Sequence, residues 1–237
     1  MWRLLLLLDV LPDGFEGRNA LELPQTGTEV FPIGLRVPVS GFRFTEKQCS
    51  NGVSVYLWAM EQSVAIKTLA EWARAGRVVF TVGDLAKLFP ADQRRTLLAA
   101  LGRLVDEGVL ARACRGVYVY VLTGDPGSDV IERIAVALRR GHYSYTSLES
   151  ALSEYGAISQ IPVDRLTAMT TGRSGVYRTP WGTIEFTHTK RSPADILENT
   201  RRVGRPLRMA TPQAAWRDLK RVGRNTHLVD ERALADD

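Results

Sequence analysis

The chain has 237 residues, 45% hydrophobic and 24% charged, an ordinary mix that can bury a core as one large or two small domains. Its formal charge of +5 is uneven: 5 basic against 6 acidic side chains over residues 1–60, 9 against 6 over 61–124, and 17 against 14 over 125–237. That balance permits a nucleic-acid partner without demanding one, while two distant cysteines, Cys49 and Cys114, exclude a disulfide framework and point to a reduced, cytoplasmic protein.

The opening "MWRLLLLLDV" resembles a signal peptide only briefly, because Asp9 cuts the apolar run and no small-residue cleavage site follows. Nothing approaches the ~20 apolar residues of a membrane span, so no membrane partner is expected. Residues 1–60 are rich in Pro and Gly and read as an irregular extension, with short apolar pieces such as "GVSVYLWAM" as candidate strands. Met60 opens "MEQSVAIKTLAEWARAG", which reads like a protein start, so residues 1–59 are equally read as sequence upstream of the natural start.

From Gln62 the periodicity is clear. Val64, Leu69, Trp72 and Ala73 fall at helical spacings, with Gly76 as the stop, and "RVVFT" reads as a short strand. Thr81 and Asp84 are spaced as a capping box, with Phe80 and Leu85 where a hydrophobic staple sits; this predicts a helix near 82–89. Pro90 is predicted to open the next helix. There Leu97, Leu98, Leu101, Leu104 and Val105 form the predicted buried stripe, leaving Arg95, Thr96, Ala99 and Arg103 outward. Gly108 ends it, and "VLARAC", "RG", "VYVYVL" read as two strands and a tight turn, with Tyr118 and Tyr120 on one face and Val117, Val119 and Val121 on the other, one set facing out.

Helix, turn, amphipathic helix and hairpin in that order predict a winged helix-turn-helix over 61–124. The second helix fits a major groove about 12 Å wide. Its candidate DNA-binding residues are Gln93, Arg94, Arg95, Thr96 and Arg103, with Arg112 and Arg115 flanking the bend of the wing, placed for phosphate or the minor groove. The same unit used only for protein contacts is the bland alternative; arginine on both the helix and the wing favours double-stranded DNA.

Residues 125–237 read as a mixed α/β domain, so the fold class expected for the whole is α+β. "GDPGSD" is a linker, and Asp129 is the predicted cap of "VIERIAVALRRG", with Val130, Ile134, Ala137 and Leu138 on one face. "HYSY" is strand-like and precedes a helix capped by Thr146 or Ser147. Several short strands follow in "AISQIPVDRLTAMTT", "GVYRTP" and "WGTIEFTHTKR". "SPADILENTRRVGR" looks helical, and "PLRMATPQAAWRDLKRVG" reads as a strand and a Thr-Pro helix start.

Four stretches resemble the AbiE-type (type IV toxin–antitoxin) antitoxins: "GVLARACRGVYVY", "HYSYTSLESALSEYGAISQIP", "IEFTHTKR" and "MATPQAAWRDL". In the last, Gln213 stands where the family often has Glu, and Trp216 where an aliphatic is common. The resemblance covers residues ~62–230, and its motifs are mostly structural. It implies a winged helix that binds and represses its own operon's promoter at repeated half-sites. It also implies an α/β antitoxin domain that counters a nucleotidyltransferase-like toxin without a stable complex.

No catalytic constellation is visible: H-E-x-x-H, GxSxG and P-loop patterns are lacking, and "TTGRSG" reads as a turn. His142, His188 and His227 have no ligand spacing, and Asp195 and Glu198, three apart, have no answering pair. No enzyme, metal or cofactor is therefore expected. The stretch 201–224 carries Arg201, Arg202, Arg205, Arg208, Arg217, Lys220, Arg221 and Arg224 against a single acid, Asp218. It is either a solvated helix surface or a candidate second nucleic-acid surface. A plain winged-helix transcriptional regulator with a ligand-sensing or dimerising carboxy-terminal domain is the alternative function.

Overall fold

The computed structural model describes residues 28–30, 36–38, 42–48, 54–60, 62–158 and 164–234. Both readings of residues 1–59 fall largely outside them. The chain divides into two compact units, Met1–Gly41 and Phe42–Asp237. In the first, β1 (Thr28–Val30) pairs antiparallel with β2 (Arg36–Pro38). The second opens with an antiparallel pair, β3 (Phe42–Gln48) and β4 (Ser54–Met60), the latter inside the stretch expected to be a strand.

Next come α1 (Gln62–Arg74), β5 (Val79–Thr81), α2 (Val82–Leu88), α3 (Arg94–Asp106), β6 (Leu110–Cys114) and β7 (Val117–Tyr120). The capping box forms as expected: Thr81 Oγ1 accepts from the Asp84 N–H, and the Asp84 carboxylate accepts from the Thr81 N–H. Pro90 does not open α3. Residues 90–92 form a turn, and α3 begins after Gln93, which gives no side-chain cap. The strands form an antiparallel sheet of order β5-β7-β6, and Gly116 (φ 80°) closes the β6–β7 turn in the left-handed region.

The rest comprises α4 (Val130–Leu138), β8 (Ser144–Thr146), α5 (Leu148–Glu154), β9 (Arg165–Thr170), β10 (Gly175–Thr179), β11 (Gly182–His188), α6 (Pro193–Glu198), β12 (Thr200–Arg201), β13 (Arg208–Ala210) and α7 (Pro212–Val222), then two short 3-10 turns. Six strands form one mixed sheet of order β10-β11-β9-β8-β13-β12, with β11/β9 and β13/β8 parallel. The class is α+β.

Three apolar clusters stack through the second unit. The first joins α1–α3 to one face of the small sheet, through Leu69, Leu85, Leu97, Leu101, Tyr118 and Tyr120. The second lies on that sheet's other face, where Val79, Val117 and Val119 meet Ile134 of α4 and Leu166, Ile184 and Phe186 of the large sheet. The third packs α5, α6 and α7 on the large sheet's far side. Val117 to Tyr120 are thus all buried. The expectation that one set faces out fails because the second half of the chain covers it.

Candidate nucleic-acid interface

The buried stripe of α3 is Leu97, Ala100, Leu101 and Leu104. Leu98, expected inside, is 42% exposed, and Val105 is half-buried. The outward face is turned accordingly: Arg95, Leu98, Ala99, Gly102, Arg103 and Asp106 are exposed, and Thr96 is half-buried. Gln93 and Arg94 are exposed at the start of the helix.

The first turn of α3 holds two arginines and no acid, and its cap residue donates no side chain. Both choices work against the helix, whose amino terminus is the positive end of its dipole and has N–H groups to satisfy. The same features favour an anion, because the positive end of the dipole and the guanidiniums add together there.

On the hairpin, Arg112 and Arg115 are exposed. Arg112 stands across from Tyr118, so it projects from the sheet face that packs on the helices, on the side of α3. Arg115 precedes Gly116 at the tip. Among the described residues no carboxylate pairs with Arg94, Arg95, Arg103, Arg112 or Arg115. Burial pushes the neighbouring Cys114 thiol up, partly offset by Arg112.

The basic run 201–224 behaves differently. Arg205 lies 3.2 Å from Glu132 and 2.8 Å from Glu154. Arg224 donates to Glu149 at 2.8 Å and also pairs with Glu185. Arg208 donates to the Thr200 hydroxyl and carbonyl at 2.7 and 2.6 Å. Arg201 lies over the Tyr155 ring and Lys220 over Trp216. Arg202 is exposed on a loop, while Arg217, Lys220 and Arg221 share an exposed stripe of α7. Three of the eight, Arg205, Arg208 and Arg224, thus have guanidinium donors taken up by the protein's own acids, hydroxyl and carbonyl groups.

Sequence reasoning missed two buried networks. Asp218, fully buried on α7, accepts from Arg191 at 2.7 Å, the Ser147 hydroxyl at 2.9 Å and the Tyr145 hydroxyl at 3.1 Å. Burial, then the Asp218 charge, push the Tyr145 phenol above its usual range. Ser147 thus precedes α5 without capping it, and Leu148 follows with φ 57°, a strained left-handed conformation for a buried leucine. The second network centres on Asp84, which takes a bidentate Arg140 (2.6 and 2.9 Å) and Arg77 (2.8 Å) besides its cap bonds. Burial opposes its ionisation, yet the bonds from Arg140, Thr81 and Arg77 outweigh that and hold the carboxyl well below its usual range. The capping spacing was the one signal for Asp84; nothing local marked Asp218.

Among the described residues there is no group of three or more metal-ligating side chains, and no helix is long and apolar enough to cross a membrane. No protein-family model and no curated protein matches the chain. It is similar to a solved structure, the RV2827C protein from Mycobacterium tuberculosis: 18% identity, 73% of this chain and 70% of that one covered, TM-score 0.46.

Proposed function

We propose that residues 61–124 are a winged helix-turn-helix that binds double-stranded DNA, with α3 in the major groove and the β6–β7 hairpin as the wing. The observation that carries this is the set of arginines at the start and outer face of α3 and on the adjoining hairpin, exposed and in no ion pair among the described residues. The order α1-β5-α2-α3-β6-β7, with β7 central in its sheet, supports it. In this reading Arg95 and Arg103 read bases, Arg94, Arg112 and Arg115 meet phosphates, and Gln93 and Thr96 flank the helix entry.

The resemblance to AbiE-type antitoxins extends the reading: the protein represses its own promoter, and its carboxy-terminal α/β domain, residues 125–237, counters a nucleotidyltransferase-like toxin without a stable complex. The protein acts in the cytoplasm and is not an enzyme. Titration against its own upstream DNA and scrambled DNA of equal length, at two salt concentrations, tests the first part. A specificity ratio of ~10³ or more is expected; equal, salt-sensitive binding to both overturns it. Co-expression with the adjacent gene tests the second, with growth rescue expected and undiminished toxicity overturning it.

A further inference from the structure

An open cleft of about 720 Å³ lies between the segment joining α1 to β5, the start of α2, and α4. That size suits a small-molecule site. Its lining is apolar at Val79, Val136 and Ala137 and cationic at Arg77, Arg133 and Arg140. Val136 is 41% exposed, an aliphatic side chain left to water on a helix whose other face is deep in the core.

Charge in the cleft does not balance. Asp129 takes Arg133 at 2.9 Å, and Arg133 also donates to the Gly76 carbonyl at 2.6 Å. Among the described residues Asp84 is the one carboxylate paired with both Arg140 and Arg77, and the Arg77 guanidinium also lies over the Trp72 and Phe80 rings. One carboxylate cannot neutralise two guanidiniums, and both keep N–H donors it does not engage. Both are also substantially exposed, with side-chain exposures of 54% and 39%, so their charge is open to the cleft.

We propose that this cleft binds a small organic anion, a phosphoryl or carboxylate head held between Arg77 and Arg140 with an apolar body against Val136 and Ala137. Two guanidiniums present the planar donor pairs that such oxygen edges accept. The head competes with Asp84 for these arginines. Because Asp84 closes the capping box of α2, which leads into α3, occupancy alters the start of α2 and with it DNA affinity. That consequence rests on the DNA-binding reading. It also fits the regulator whose second domain takes part in sensing a ligand.

Calorimetric titration of the full chain with phenyl phosphate, benzoate, inorganic phosphate and phenol tests the site. Saturable binding of phenyl phosphate or benzoate, stronger than of phosphate or phenol, is expected; which one binds identifies the head group. Val136→Glu places a carboxylate one turn before Arg140 at an exposed position, so folding is insulated. It should weaken that binding about tenfold or more with the unfolding midpoint unchanged. No binding by either anion, equal binding of phenol, or an unaffected Val136→Glu overturns the site. A parallel DNA titration with and without saturating probe reads the coupling. A change in affinity is expected, and none despite bound probe overturns the coupling. Failure of the unliganded protein to bind DNA overturns the DNA reading alone and leaves the calorimetric result standing.

Discussion

The arginines of α3 and its hairpin and those of the run 201–224 are the same residue type put to opposite uses. In the first region Arg94, Arg95, Arg103, Arg112 and Arg115 are exposed and form no ion pair among the described residues, although Asp92, Asp106 and Glu107 lie near them in the chain. In the second, Arg205 and Arg224 each hold two carboxylates, and Arg208 closes a carbonyl turn. What separates them is the supply of acids from elsewhere in the chain. Glu154 lies 51 residues from Arg205, and Glu149 lies 75 from Arg224. Counting charges along a segment measures the first kind of region and overstates the second. A guanidinium already paired has less charge left for a phosphate, and removing it leaves a buried carboxylate uncompensated.

The largest expected effect is on the paired side. Asp218→Ala strands the Arg191 guanidinium and the Tyr145 and Ser147 hydroxyls, and loosens the hold on the strained Leu148. A loss of about 3–5 kcal/mol is expected in urea unfolding. DNA affinity per folded molecule should be unchanged. A loss under about 1 kcal/mol would mean that the buried network contributes little and that the two regions differ less than their geometry implies.

Asp84→Asn comes next and carries a pH signature. The native carboxyl titrates below its unfolded value of 3.8. Its stabilisation is therefore fully present above about pH 4 and is lost as pH falls through the lower, native-state value. The variant should unfold about 2–3 kcal/mol more easily at pH 7, and the gap to the unchanged protein should close progressively below pH ~4. A gap that stays constant down to pH 2 would show that the cap geometry, and not the charge shared with Arg77 and Arg140, sets the cost.

How far these features were readable from the chain follows the range of the interaction. The Thr81–Asp84 capping box spans three residues, so its spacing alone located the start of α2. The strand character of 110–120 and the turn at Gly116 were local too. Asp84's second partner, Arg140, lies 56 residues on, and no period or spacing announces it. The stripe of α3 was misplaced by the same logic. Leu98 and Val105 are as apolar as Leu101, but the neighbours that decide which leucine is covered come from α1, α2 and the small sheet. Burial of Val117 and Val119 was hidden because their cover, α4 and the large sheet, comes from the second half of the chain.

The smallest effects separate the two regions most directly. Arg95→Ala and Arg103→Ala each remove an exposed side chain that pairs with no described carboxylate, so stability should move by less than about 0.5 kcal/mol. If either reads a base, specific DNA binding should fall by about 1–3 kcal/mol, with non-specific binding much less affected. Arg202→Ala and Arg221→Ala are the matched controls, exposed cations of the second region whose loss breaks no ion pair among the described residues. Arg205 and Arg224 are unsuitable, since their loss would unfold the pairs they hold and confuse stability with binding. The controls should change specific binding by under about 0.5 kcal/mol and leave its salt slope intact. Equal losses at all four positions would mean that the DNA contact runs across both regions as one generic phosphate surface; losses confined to Arg95 and Arg103 would place recognition on α3 alone.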